Sequence, residues 1–81
     1  MQPEEIHALI EAGLPGARVK VSSNDNTHFE AVVVSDAFSG KRPLVRHKLV
    51  YDSLGSLVGN EIHALSIRAF TEDEWQQLQP D

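Results

Sequence analysis

The sequence predicts a two-layer α+β domain: helices on one face of a small three-stranded sheet, in the order α-β-β-α-α-β-α. Three observations carry that prediction. Apolar and polar residues alternate in "ARVKVSS" and "HALSIRAF", the period of a strand buried on one side. Apolar residues recur at helical spacing in "EEIHALI" and again from Leu44 to Val58. Turn residues, "NDN" and "SGKRP", separate the periodic segments.

Each element follows in order. Pro3 suits a first helical turn, where its missing N–H costs nothing, and Glu4 and Glu5 favour the positive helix end. Ile6, Leu9 and Ile10 share one face of that helix, and Gly13 offers a stop. Val19 and Val21 alternate with Arg18 and Lys20 in the first strand. "NDN" at 24–26 then turns the chain, because Asn and Asp tolerate left-handed backbone. "THFEAVVVSDAF" reads as the second strand, so the pair is a hairpin. From Leu44 the period is helical, but Asp52, Ser53 and Gly55 argue against one unbroken helix. Two short helices, 43–51 and 53–59, are expected, with Gly59 and Asn60 closing the second. The third strand is 64–70. Thr71 and Glu74 match a capping box, which starts a last helix through Trp75.

Eighty-one residues make one domain, 1–81. A chain this short buries only about 60% of the surface it exposes when unfolded, so stability is modest. With no Cys there is no disulfide and no thiolate of its own for a metal. No apolar stretch suggests a signal peptide or a membrane span, and a cytoplasmic protein is expected. The net charge of −5 is not the usual footprint of a nucleic-acid binder. One segment runs against it: in "KRPLVRHK", Lys41, Arg42, Arg46, His47 and Lys48 form a local basic patch.

No G-x-S-x-G elbow, P-loop or H-E-x-x-H is present, and the chain reads as non-enzymatic. The histidines are the remaining candidates. His7 lies beside the apolar stripe of the first helix and reads as a solvated position. His47 reads first as a half-buried helix residue, and second as a contact to phosphate or partner carboxylates beside Arg46 and Lys48. His28 begins the second strand and His63 precedes the third. A lone histidine is more often a satisfied structural side chain than a ligand. These two stand at strand edges, however, where a rigid sheet can present a ring nitrogen. Two imidazoles alone cannot complete a tetrahedral metal shell, so further ligands would have to come from another molecule.

"THFEAVVVSDAFSGKRPLVRHKLVYDSL" followed by "IHALSIRAFTEDEW" resembles the BolA family, over nearly the whole chain. The resemblance implies a class II KH-like version of the α+β fold. It also implies a partner, a monothiol glutaredoxin, and a bridging 2Fe–2S cluster whose thiolates come from the glutaredoxin cysteine and from glutathione. The BolA-like protein would contribute the imidazole before the last strand, here His63. A second ligand position, in the loop between the first two strands, matches His28. The expected assembly is a monomer when free and a heterodimer with the partner. The basic 41–48 segment reads equally as a solvated basic face or as a dock for an acidic surface of the glutaredoxin or for glutathione carboxylates. The alternative implied by the resemblance is a transcriptional regulator that binds DNA through the same segment.

Overall fold

The structure is a computed structural model that describes residues 1–62 and 64–79. The first helix, α1 (Pro3–Gly13), starts where proline allows it, and the Gln2 N–H donates to the Glu5 carboxylate at 3.0 Å. Strands β1 (Arg18–Ser22) and β2 (His28–Val34) pair antiparallel, with Arg18 opposite Val34 and Ser22 opposite Glu30. This is the expected hairpin. Helix α2 (Pro43–Leu54) crosses over to β3 (Ala64–Phe70), which pairs parallel to β2 from His28–Ala64 to Val34–Phe70. Helix α3 (Glu72–Leu78) closes the chain's described part. The sheet order is β1-β2-β3, so β2 is central and the sheet is mixed.

Alternation sorts the strands into two faces. Phe29, Ala31 and Val33 of β2 are buried against Ile6 and Ile10 of α1 and Val50 and Leu54 of α2. Val19, Val21, Leu65 and Ile67 extend that core from the flanking strands. The other face carries Lys20, Glu30, Ser66 and Arg68, which is why these strands are polar at every second position. One end of that outer face is covered: the Trp75 ring lies 5.4 Å from that of Phe70.

Two boundaries differ from the expected ones. β2 stops at Val34, and Asp36–Phe38 forms a 3-10 turn. The Ser35 hydroxyl accepts the Ala37 N–H, a local bond that competes with the strand ladder, and the turn drives Phe38 fully into the core. The two expected helices at 43–51 and 53–59 are one α-helix followed by a single 3-10 turn, Gly55–Leu57. Asp52 and Ser53 do not break the helix. Lys48 donates to Asp52 one turn on at 3.0 Å, and the Ser53 hydroxyl donates to the Val50 carbonyl. The break falls at Gly55, whose φ of 60° is left-handed. Among the described residues, no helix is long and apolar enough to cross a membrane.

Candidate metal-facing site at the hairpin mouth

The β1–β2 loop is built from side chains that bond their own backbone. The Ser23 hydroxyl donates to the His28 carbonyl and accepts the Asn26 N–H at 2.9 Å. One carboxylate oxygen of Asp25 accepts the N–H groups of both Thr27 and His28, each at 2.9 Å. Asn26 takes φ 57°, which its short polar side chain tolerates, and so lets the chain fold back. The other Asp25 oxygen, Oδ2, lies 2.8 Å from His28 Nδ1. The His28 amide, then its ring, then the Thr27 amide hold the Asp25 carboxyl well below the usual carboxylate range.

His28 itself is 70% exposed and borders an open cleft of about 320 Å³. The cleft is lined from the loop by Asn24 and Asp25, from β2 by Glu30, and from β3 by Ala64 and Ser66. His63, the other histidine expected to act here, lies outside the described residues. The residue that follows it in the sequence, Ala64, is the register partner of His28. Among the described residues, no three His, Asp or Glu side chains gather to hold a metal. Among the described residues the donor set at this mouth is one exposed imidazole, too few ligands for a closed site.

The basic segment is elsewhere and is not uniform. Arg46 turns inward. Its guanidinium donates to the carbonyls of Lys41 at 2.8 Å and Ala69 at 3.2 Å, and grips Glu74 at 2.6 and 3.1 Å. Lys48 is paired with Asp52, while Lys41 and Arg42 are exposed, with no ion pair among the described residues. His47 is half-buried and joins Leu44, Val45 and Tyr51 in lining a surface hollow. Leu44 is 82% exposed, so the apolar stripe expected from Leu44 onward is split: Val50 and Leu54 enter the core, while Leu44 and Val45 face out. Because Arg46 meets Ala69 near the far end of β3, the basic segment stands roughly 15–20 Å from His28 at ~3.3 Å per strand residue. The two predicted groups do not form one patch. His7 pairs with Glu11 at 3.1 Å on α1, as a surface position does.

Sequence reasoning overlooked Asp25. The available signal was an aspartate three residues before a histidine inside a turn, where its carboxylate can reach both the backbone amides and the ring.

Comparison with known proteins agrees with this architecture. The family described as BolA-like protein matches residues 1–74. A relative from Vibrio cholerae, named DNA-binding transcriptional regulator BolA, is 39% identical over 77 residues, covering 95% of this chain and 69% of its own. A solved BolA homologue from Coxiella burnetii superposes with a TM-score of 0.84 at 43% identity, covering 94% of this chain and 97% of that one. The BolA domain of SufE1 from Arabidopsis thaliana gives 0.78 at 35% identity, covering 89% and 93%. Match over most of the length, with the same mixed sheet and helices, places the chain in the BolA-like family.

Proposed function

We propose that the chain is a non-enzymatic adaptor in iron–sulfur cluster handling and iron homeostasis. It lends an imidazole to a 2Fe–2S cluster whose thiolate ligands belong to a monothiol glutaredoxin and to glutathione. The observation that carries this reading is the exposed His28 ring, set at an open cleft by a rigid loop in a chain without cysteine. His63 is the firmer ligand of the family resemblance and His28 the second. Imidazole in place of thiolate raises a cluster's potential and makes its bond sensitive to protons. The exposed Leu44, Val45 and Tyr51 beside Lys48 are a docking face of the right character for an acidic partner with an apolar centre.

The test is an anaerobic titration of cluster-loaded monothiol glutaredoxin, followed by visible absorption and circular dichroism. The wild-type chain should change the cluster spectrum and co-elute with the partner, and His63→Ala should lose the spectral change. An unchanged spectrum with no complex on a sizing column defeats the reading. A second reading, DNA binding, is favoured by the name of the Vibrio cholerae relative and by the exposed Lys41 and Arg42. It requires salt-sensitive binding that charge reversal at Lys41 and Arg42 abolishes and His63→Ala leaves intact.

A further inference from the structure

We propose that Asp25 is a positioning residue for His28: its carboxylate keeps the neutral ring's proton on Nδ1 and leaves the Nε2 lone pair facing out as the metal-directed donor. The proposal deepens the adaptor reading and rests on it. It also makes a claim about the free protein that can be tested without any cluster.

The chemistry is short. An ionised carboxylate only accepts hydrogen bonds, so the nitrogen 2.8 Å from Asp25 Oδ2 must be the one that carries hydrogen. A neutral imidazole has one N–H, and with Nδ1 protonated the other nitrogen is a bare lone pair. Asp25 is not a surface group that swings freely, because its Oδ1 is fixed by the Thr27 and His28 amides. Ser23 fixes the same loop from the other side, through the His28 carbonyl and the Asn26 amide. The ring is thus oriented by a carboxylate that is itself oriented, the arrangement that sets tautomer and basicity in histidine metal ligands. Besides Asp25, the charged group that lines the cleft is Glu30 on β2, which makes no ion pair with His28.

Asp25→Asn separates orientation from folding. The side-chain oxygen still accepts the loop amides, but the group facing the ring becomes an NH2 donor. Long-range proton–nitrogen correlation spectra of the 15N-labelled free protein, at about pH 8 where an ordinary imidazole is neutral, report the tautomer. His28→Gln identifies the signal among the four histidines. The wild type should show His28 with Nδ1–H, and Asp25→Asn should shift it toward Nε2–H. A wild-type Nε2–H form, or an unchanged tautomer in the variant, overturns the proposal. In the cluster titration, Asp25→Asn should bind about 10-fold more weakly, within the range that loss of such a partner costs. Equal affinities for variant and wild type overturn the metal-directed role. If the wild type itself leaves the cluster spectrum unchanged, the adaptor reading fails and takes that role with it, while the tautomer spectra still decide whether Asp25 orients the ring.

Discussion

Arg46 occupies the middle of the basic segment, yet its side chain is only 11% exposed and all its polar contacts are within the fold. Its guanidinium also approaches the Phe38 ring, 6.0 Å from the centroid. Arg46→Ala should therefore lower stability by on the order of 2 kcal/mol, through lost charged hydrogen bonds and packing of the stem. Lys41→Glu and Arg42→Glu, at exposed positions, should each change it by less than about 0.5 kcal/mol. Urea unfolding of the three variants measures the contrast, and similar midpoints for all three would refute it. A charge run in sequence reveals residue type but not destination, because two of the partners of Arg46, Ala69 on β3 and Glu74 on α3, lie far along the chain. His28 was legible as a strand-edge residue, since alternation places the edge. Its bond to Asp25 was a local event that the turn composition concealed.

Helix α1 crosses α2 at a glycine. Gly13 ends α1 as expected, but its φ is not left-handed, so conformational freedom is not what requires glycine there. Its role is close approach: a Cβ at Gly13 would collide with the Ser53 side chain and stand 3.1 Å from the Ser53 Cα on α2. Gly13→Ala gains about 1 kcal/mol of helix propensity but meets an overpacking cost of about 1–3 kcal/mol. The expected outcome is net destabilisation, read as a lower urea midpoint, and a raised midpoint would show that α1 can move off α2. Sequence could not distinguish these roles, because a stop and a crossing both call for glycine.

Helix α3 was the more legible element. Its capping box is present, with the Thr71 N–H donating to Glu74 at 2.9 Å and the Glu74 N–H donating to the Thr71 hydroxyl at 3.2 Å. What the motif did not disclose is that Glu74 also receives Arg46. The Arg46 guanidinium, with the Thr71 amide, lowers the Glu74 carboxyl from 4.5 to about 2. A depressed carboxyl stabilises the fold above its unfolded value, and that contribution is lost as pH falls through the folded value. Glu74→Gln should thus be less stable than wild type at pH 7, with the gap narrowing below pH 4.5 and vanishing near pH 2. Thermal melts across that window test it, and a gap that stays constant into acid would exclude the ion pair as its source.

In the whole molecule, stability is distributed unevenly. β2 is bonded on both sides and supplies the buried Phe29, Ala31 and Val33, whereas α3 buries no residue fully. Amide hydrogen exchange should be slowest in β2 and markedly faster in α3, which opens without global unfolding. Equal protection in the two would mean that α3 is bound more firmly than its Arg18–Glu72, Arg46–Glu74 and Phe70–Trp75 contacts imply. The fold class and strand positions were readable from periodicity. The parallel placement of β3 was not, because periodicity assigns faces and says nothing of neighbours.

That parallel placement also sets an order in time. The Ser23–Asp25–His28 loop joins adjacent strands and can close within microseconds, as isolated hairpins do. Ala64 meets His28 only once the long crossover between β2 and β3 has closed, a contact between residues distant in the chain and correspondingly slow to form. The imidazole is therefore oriented early, and its cleft is completed late. A ligand that requires both recognises only chains that have finished folding.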